Sequence, residues 1–372
     1  MSEHRLGRLR SPWYQLAPAL VVLLGASLLV GFTILRAGGD PLVLARLGTR
    51  FSQGDATGTE GYDGQFVYYI ALYLQPEQVS PYLDVPAYRY QRILLPVLAR
   101  LFSFGSEAAL PWALVLLSVL SLAGGTWAVS ALLSGWGVSP WYALVYGFWA
   151  GFMLALIVDL PEPLAYGLVA AGLLALERGR RWSGWILLGL ALFAKEVTIF
   201  YLLGVLLTYF IQRRWREALA LVLVGLVPFA VFQLWLSAVF GQPGIASGGA
   251  MATPFEVIPF AGLFRIGAYS PLYLLAMLVV FGPTVVLPSI WGVWKSARAW
   301  FSGGVNFWVA ILFLNGLMIA FTPFSTFRET GGILRYASGL MLSVLLFSGY
   351  YRLRKVLNYS FFWLVLNVFL LK

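Results

Sequence analysis

The segment around Asp63 combines an acidic side chain with glycine and tyrosine in the order Gly61-Tyr62-Asp63-Gly64-Gln65. Glycines on both sides of Asp63 permit unusual backbone angles and the close approach of a ligand. The carboxylate of Asp63 could accept a proton as a general base, or it could cap the helix that is predicted to follow it. The residues alone leave both roles open.

Two arginines follow in the string Tyr88-Arg89-Tyr90-Gln91-Arg92. Arg89 and Arg92 are three residues apart, so in a helix they would share one face and could clamp one phosphate group. Arginine near lipid also commonly extends to the membrane interface without binding a ligand. That structural role is the alternative interpretation.

Three further charged clusters interrupt apolar sequence: the turn with Asp159 and Glu162, the pair Lys195-Glu196, and the segment with Arg328, Glu329 and Arg335. Ionisable groups at membrane helices indicate a functional site. The first cluster is also typical of a solvated turn, and the second of an internal ion pair with structural use only. Arg335 is expected to pair with an anionic ligand or with Glu329.

The composition determines which elements must position these side chains. The chain has 372 residues, of which 60% are hydrophobic and only 11% are charged, whereas soluble domains average about 25% charged residues. A membrane span needs roughly 20 apolar residues. Runs of this length without Asp, Glu, Lys or Arg occur at 15–35, 109–134, 138–158, 218–240, 269–294 and 303–323. The sequence therefore predicts an all-α polytopic membrane protein.

The residue types exclude several kinds of active site. The chain has no Cys, and its only His is His4. Thiol chemistry, a Ser-His-Asp triad and a zinc site built from His or Cys are therefore excluded. Acid–base chemistry would use Asp, Glu, Lys or Tyr, and any metal would be a hard, oxygen-ligated cation such as Mg²⁺, Mn²⁺ or Ca²⁺.

Basic clusters predict the topology. The positive-inside rule places in the cytoplasm Arg5, Arg8 and Arg10; Arg178, Arg180 and Arg181; Arg213, Arg214 and Arg216; Lys295 and Arg298; and Arg352, Arg354 and Lys355. The N-terminus is then inside, and all acidic residues except Glu3, Glu177 and Glu217 fall outside. The net charge of +10 follows from topology and from attraction to anionic lipid, so no nucleic-acid partner is expected.

About eleven transmembrane helices follow from this topology, at 13–35, 109–134, 138–158, 163–177, 183–194, 197–212, 217–240, 269–294, 303–322, 333–351 and 356–371. They form a single transmembrane domain, 1–372, with two long outer segments. The first, 36–108, is expected to carry interfacial helices at 65–74 and 90–104; counting 90–104 as a crossing instead would reverse the sides that follow. The second, 241–268, is rich in Gly and Pro and is expected to form a mobile flap or a partly disordered loop.

The order of these features resembles a known family. A basic tail and first helix precede the strings Tyr62-Asp63-Gly64-Gln65-Phe66 and Arg89-Tyr90-Gln91-Arg92-Ile93. Then come the turn Asp159-Leu160-Pro161-Glu162-Pro163, the Lys195-Glu196 apex and a final Arg-Glu…Gly-Gly…Arg segment. This order resembles the GT-C superfamily of polytopic membrane glycosyltransferases, in particular bacterial members that are distantly similar to the mannosyltransferases of GPI-anchor synthesis. The resemblance covers most of the chain.

The resemblance implies a GT-C-like fold in the plasma membrane and an inverting transfer of a sugar from a polyprenyl-phosphate-linked donor to an extracytoplasmic acceptor. It implies that Asp63 is the catalytic carboxylate, with Glu162 as the second choice. Many members have an Asp-x-Asp or paired-acid motif where this chain has a single Asp, so a divalent cation (Mg or Mn) is allowed but not required. Substrate contacts are expected from Tyr62, Gln65, Arg89, Arg92, Asp159, Lys195, Glu196, Arg328, Glu329 and Arg335.

Other functions are consistent with the same residues. A secondary transporter of a small polar or anionic solute is the main alternative, and it predicts an inverted repeat and charges near the bilayer midplane. The sequence has no convincing internal repeat, and its charges cluster on one side. A lipid-processing enzyme without sugar chemistry, or an assembly or scaffold protein, would also fit these residues. The expected partners are the polyprenyl-phosphate sugar and membrane lipids, and the sugar, the acceptor and the oligomeric state are left open.

Overall fold

The computed structural model describes residues 12–370, and every regular element in this range is a helix or a helical turn. The predicted all-α fold is therefore confirmed for the described part of the chain. The basic residues Arg5, Arg8 and Arg10 and the sole histidine, His4, lie outside the described residues.

The N-terminal part places one long helix before a series of short ones. α1 spans Pro12–Arg36. The predicted outer segment 36–108 contains a 3₁₀ turn (Pro41–Ala45) and then α2 (Thr49–Ser52), α3 (Gly64–Tyr73), α4 (Pro76–Val79), α5 (Pro86–Tyr90) and α6 (Leu94–Phe102). α6 is about 14 Å long, too short to cross a hydrocarbon core of about 30 Å. The interfacial position expected for 90–104 stays a prediction.

The middle of the chain contains α7 (Leu110–Gly135), α8 (Ala143–Gly147), α9 (Ala150–Leu156), α10 (Glu162–Glu177), α11 (Arg181–Ala194) and α12 (Ile199–Ile211). The prediction of one straight span at 138–158 is wrong, because Trp149 has extended backbone angles. The side-chain amide of Asn367 donates to the carbonyl of Phe148 at 2.8 Å. This bond satisfies a backbone group that the helix break would otherwise leave unpaired in the bundle.

The C-terminal part contains α13 (Trp215–Leu221), α14 (Val227–Phe240), α15 (Ala261–Phe264), α16 (Pro271–Phe281), α17 (Leu287–Phe301), α18 (Phe307–Ala320), α19 (Phe324–Arg328), α20 (Thr330–Tyr336), α21 (Ser338–Tyr350) and α22 (Arg354–Ser360). π turns join α13 to α14 and α16 to α17, next to Pro228 and Pro283, which lack the N–H of a regular helix. The predicted helix end at 294 is too early, because α17 continues to Phe301 and contains Lys295 and Arg298. The last predicted helix, 356–371, is a 3₁₀ segment over Phe361–Leu370. The cytoplasmic side of Lys295 and Arg298 stays a prediction.

Five helical stretches among the described residues are long and apolar enough to cross a membrane: Trp13–Arg36, Leu110–Gly135, Trp215–Phe240, Pro271–Phe301 and Thr330–Tyr350. Large apolar side chains of α1, such as Leu24, Leu28 and Phe32, are exposed, as expected of a surface that faces lipid rather than water. The fold is therefore consistent with a helical membrane protein. The number of crossings and the GT-C architecture stay predictions.

Loops that the charge pattern assigned to one side lie next to one another. The guanidinium of Arg352 donates to the carbonyl of Trp136 at 2.9 Å, and the indole of Trp136 donates to Glu177 at 2.8 Å. Arg181 pairs with Glu217 at 3.2 Å. The connections that contain the predicted site residues meet at the opposite end of the bundle, which we call the Asp63 end.

The helix α11 is shorter than the five helical stretches that could cross a membrane. It begins at the end with the basic loops and has 14 residues, which correspond to about 21 Å of helix. Lys195 follows it directly at the Asp63 end of the bundle.

Candidate active site

Asp63 is positioned by the two glycines beside it. Gly61 has a φ of +70°, in the region that favours glycine. A Cβ atom on Gly64 would lie 2.2 Å from the carbonyl oxygen of Val158, so only glycine permits this approach to the α9–α10 connection. Asp63 immediately precedes α3, but its side chain makes no capping hydrogen bond. The alternative that Asp63 caps the helix is therefore wrong.

The carboxylate of Asp63 is bridged by two arginines. Nη1 of Arg89 lies 3.0 Å from Oδ1, and Nη1 of Arg335 lies 3.1 Å from Oδ2. Arg335 also donates from Nε to the carbonyl of Gly331 at 3.2 Å, and its guanidinium lies 5.3 Å from the ring centre of Tyr62. Three residues predicted from the sequence to act together are therefore in direct contact, although 272 positions separate Asp63 from Arg335.

Arg89 is oriented by Asp84, a residue to which the sequence analysis gave no role. Nε and Nη2 of Arg89 donate to the two oxygens of Asp84 at 2.7 and 2.8 Å. The guanidinium also lies over the ring of Phe66, 4.3 Å from its centre. This bidentate geometry leaves Nη1 directed at Asp63. The five-residue spacing from Asp84 to Arg89 was the available signal, but it is too common to be specific.

Two ion pairs extend the site into the bundle. Arg92 makes a bidentate contact with Glu196 at 2.9 and 2.6 Å, and Nζ of Lys195 lies 2.7 Å from Oε1 of Glu162. Glu162 is fully buried and Lys195 is 7% exposed. Lys195 and Glu196 therefore do not pair with each other, and each makes an internal ion pair with another residue. Each residue connects the α11–α12 apex to another segment.

Arg89 and Arg92 both line the polar cavity and lie on one helical turn. α5 ends at Tyr90, but the backbone N–H of Arg92 still donates to the carbonyl of Arg89 at 3.3 Å. The joint phosphate clamp expected from the sequence stays a prediction. Each is committed to its own carboxylate, because a buried guanidinium without a partner is costly. The ring of Tyr88 contacts both cations, with its centre 5.1 Å from Arg89 and 4.4 Å from Arg92.

Glu329 is not the partner of Arg335, which corrects one sequence prediction. It accepts a hydrogen bond of 2.9 Å from the hydroxyl of Tyr62. Arg335 instead pairs with Asp63 at 3.1 Å, and its second acidic neighbour is Glu162 at 3.9 Å. Arg328 is exposed and has no acidic partner among the described residues.

Two other residues that were predicted to contact the substrate, Asp159 and Gln65, lie in positions that serve the protein's own structure. Asp159 is buried, has a φ of +47°, and makes no hydrogen bond through either carboxylate oxygen. It does not line the cavity beside Asp63, and since both Asp159 and Glu162 are buried, the solvated-turn interpretation is wrong. Gln65 does line that cavity, but its side-chain amide is hydrogen-bonded within the loop. It accepts from the backbone N–H of Gly48 at 3.1 Å and donates to the backbone carbonyl of Glu60 at 2.6 Å.

A polar cavity of about 640 Å³ lies beside Asp63. Charged residues form much of its wall: Asp63, Asp84, Arg89, Arg92, Lys195, Arg328, Glu329 and Arg335. The predicted flap, 241–268, contributes residues 249–252 to this wall. The backbone N–H of Thr253 donates to Ser325 at 3.1 Å, so the flap is joined to α19 and covers one side of the polar cavity.

A second cavity of about 1140 Å³, which we call the apolar groove, lies on the other side of Tyr62. α1 contributes Leu29 and Phe32 to its lining, and α9 contributes Leu154. Ile157, the residue that follows α9, also lines the groove. Gly61, Tyr62 and Glu329 line both cavities. The Tyr62–Glu329 hydrogen bond therefore lies in the partition between them.

Electrostatics keep Asp63 ionised. Burial alone would raise the pKa of Asp63, but the charges of Arg89, Arg335 and Arg92 outweigh it and hold the pKa below its usual range. The lowered pKa means that the ionised form stabilises the fold fully above about pH 4, the unfolded value. This stabilisation decreases as the pH falls toward the folded-state pKa.

The acidic residues of the polar cavity mainly contact cationic and hydroxyl groups of the protein. Within residues 12–370, no group of three or more His, Asp or Glu side chains is arranged to hold a metal ion. The divalent cation allowed by the sequence therefore stays a prediction, and no catalytic step is derived through it.

Comparison with known proteins gives no assignment. No family model, curated protein or solved structure matches this chain.

Replacing Gly64 by Ala is expected to destabilise the protein by about 1–3 kcal/mol, the usual cost of overpacking. The added Cβ would meet the carbonyl of Val158 and displace the Asp63 turn. Gly31→Ala is the matched control, because no atom lies within 4 Å of its added Cβ. The free energy of unfolding in mixed detergent micelles measures both, and equal stability of the two variants would contradict the close packing.

Proposed function

We propose that this protein is a membrane glycosyltransferase that moves a sugar from a polyprenyl-phosphate-linked donor to an acceptor at the extracytoplasmic face. The observation that carries the proposal is the Asp63 carboxylate between Arg89 and Arg335 at the wall of a polar cavity. A carboxylate and two guanidinium groups are the base and the phosphate ligands that such a transfer requires. The apolar groove adjoins this cavity at Tyr62.

The proposed step is a single displacement with inversion at the anomeric carbon. The acceptor hydroxyl oxygen attacks this carbon, and its proton passes to the carboxylate of Asp63. The bond between the anomeric carbon and the phosphate oxygen breaks, and its electron pair leaves on polyprenyl phosphate. Arg89 and Arg335 bind the phosphate oxygens and stabilise the charge that develops there.

Donor binding would also activate the base. In the free protein both oxygens of Asp63 contact an arginine, which makes the carboxylate a weak proton acceptor. A donor phosphate competes for the same guanidinium groups. As the arginines turn toward the phosphate, the pKa of Asp63 rises, so the base becomes competent when the donor is present.

The two deeper ion pairs position these groups. Glu162, the second choice for the base from sequence, is fully buried against Lys195 and is assigned a positioning role. Its Oε1 lies 3.9 Å from Nη1 of Arg335. Glu196 holds Arg92 in the same way. These contacts keep the cationic wall in place.

The resemblance to the GT-C superfamily supports the same proposal. In that family the catalytic carboxylate belongs to the first outer segment, as Asp63 does in the predicted topology. The short helices of residues 36–108, the broken α8–α9 region and the α11–α12 apex enclose the site. This chain departs from the family in having a single Asp in place of a paired-acid motif. Arg89 and Arg335 of the protein itself contact that Asp.

The direct test uses the full-length protein purified into lipid nanodiscs. It would be supplied with polyprenyl-phosphate-linked hexoses and pentoses carrying a radiolabelled sugar, together with envelope lipids and glycans as acceptors. The proposal predicts equal amounts of labelled product and released polyprenyl phosphate for at least one donor. Uptake of a free solute into proteoliposomes with no donor cleavage would instead favour the transporter.

The pH dependence of the transfer reports on Asp63. In the free wild-type protein, the lowered pKa predicts that kcat/KM decreases through protonation of Asp63 only below about pH 4. In Arg335→Gln one of the cations beside Asp63 is absent, so burial raises the pKa of Asp63 and the acid limb of the kcat/KM profile moves to higher pH. An unchanged acid limb in this variant would show that Asp63 is not the titrating base.

A further inference from the structure

The apolar groove is too large and too apolar to be an extension of the charged cavity. Its volume of about 1140 Å³ exceeds the roughly 300–1,000 Å³ of pockets for small ligands. Its walls come from α1, α9 and the C-terminal segment, including Leu29, Leu154 and Phe369. This shape and chemistry suit an alkyl or isoprenoid chain.

Two arginines give the apolar groove a cationic part. Arg36 ends α1, and Arg46 follows the 3₁₀ turn Pro41–Ala45. Both arginines are exposed, and the guanidinium of Arg36 lies 5.4 Å from the ring centre of Phe32, which also lines the groove. Neither guanidinium has a carboxylate or carbonyl partner among the described residues. Two exposed cations beside an apolar wall are complementary to an amphiphile with an anionic headgroup.

The partition between the cavities determines how such an amphiphile would meet the reacting atoms. Tyr62 and Glu329 line both spaces and are hydrogen-bonded at 2.9 Å, and Asp63 is adjacent to Tyr62. In an inverting transfer the acceptor and the leaving phosphate approach opposite faces of the sugar. The polar cavity already supplies Arg89 and Arg335 for the donor phosphate, so the apolar groove is available for the acceptor.

We infer that the acceptor is a lipid, whose chain lies in the apolar groove and whose phosphate or other anionic headgroup is bound by Arg36 and Arg46. This inference rests on the proposed glycosyltransferase function. The hydroxyl group of the lipid reaches Asp63 past Tyr62 and Glu329. The protein then has two anion sites, one for each lipid-linked substrate.

The inference is tested by binding, with purified protein in nanodiscs of a zwitterionic lipid. Two probes would be used: hexadecyl phosphate for the apolar groove and polyprenyl phosphate for the polar cavity. Hexadecyl phosphate is expected to bind at least about tenfold more weakly to an Arg36→Gln/Arg46→Gln double variant, because each substitution removes a charge-assisted hydrogen bond. The control is Arg265→Gln, an exposed arginine that lines neither cavity and pairs with Glu256.

The second probe, polyprenyl phosphate, tests whether the anionic lipid bound in the apolar groove is the acceptor or the donor. Its affinity should decrease in Arg89→Gln and stay unchanged in the Arg36/Arg46 double variant, and it should not compete with hexadecyl phosphate. Competition between the two probes, or loss of polyprenyl phosphate from the double variant, would overturn the assignment to the acceptor. Unchanged binding of hexadecyl phosphate in the double variant would overturn the second site itself.

These binding results do not depend on turnover, so the two proposals can fail separately. Absence of donor cleavage in the wild type, with binding that still depends on Arg36 and Arg46, would reject the transferase and with it the acceptor role. Donor cleavage together with transfer only to water-soluble acceptors would keep the transferase and reject the lipid acceptor.

Discussion

Asp63→Asn is expected to reduce sugar transfer by about 10²–10⁴-fold, the usual contribution of a general base. The amide keeps the shape of the side chain but cannot accept the proton of the acceptor hydroxyl. The loss should appear in kcat, because removing the negative charge leaves Arg89 and Arg335 free for the donor phosphate. The initial rate of radiolabelled transfer at several donor concentrations separates the two parameters.

Asp55→Asn is the matched control for this variant. Asp55 belongs to the same loop segment, and its side chain hydrogen-bonds to Thr57 in its own turn. Its rate should equal that of the wild type, and both variants should retain the wild-type elution profile and unfolding temperature. Full activity of Asp63→Asn would contradict the assignment of the base.

Lys195→Met is expected to destabilise the protein by about 3–5 kcal/mol, because it leaves the buried carboxylate of Glu162 without its main partner. Arg335, at 3.9 Å, offers only a weaker contact. The matched control is Arg50→Met, whose partner Glu60 is exposed; an exposed pair contributes less than about 1 kcal/mol. The free energy of unfolding in mixed micelles measures each loss.

The double variant Lys195→Met/Glu162→Gln distinguishes the effect of the unpaired buried charge from the effect of changed packing around it. Because it removes the isolated charge, it should be more stable than Lys195→Met alone. Its transfer rate should still be reduced, since Arg335 loses the neighbour that helps to orient it. If Lys195→Met were no less stable than Arg50→Met, the Lys195–Glu162 pair would not be the buried contact described.

The long helices could be predicted from the sequence because their signal is local. Apolar runs place α1 at 13–35 and α7 at 109–134, within one residue of their observed bounds. The break at Phe148 could not be predicted, because it depends on Trp149, whose indole donates to the carbonyl of Leu334 at 3.0 Å, and on Asn367. These contacts join positions far apart in the chain.

The members of the candidate site were predictable from residue type, but their pairing was not. Charges in a lipid-embedded bundle are costly unless they meet, so Asp63, Arg89 and Arg335 could be expected to converge. Which carboxylate each cation contacts depends on the packing of segments that are up to 272 positions apart. Glu329 is adjacent to Arg328 and close to Arg335 in sequence, yet it hydrogen-bonds to Tyr62.

The most direct test of the central claim is a density map of the protein in nanodiscs with polyprenyl phosphate, the product of the proposed reaction. We predict phosphate density within hydrogen-bonding distance of Arg89 and Arg335, beside Asp63 in the polar cavity. The tail should leave this cavity laterally toward lipid. Phosphate density remote from Asp63, or a central vestibule open to both sides of the membrane, would contradict the account.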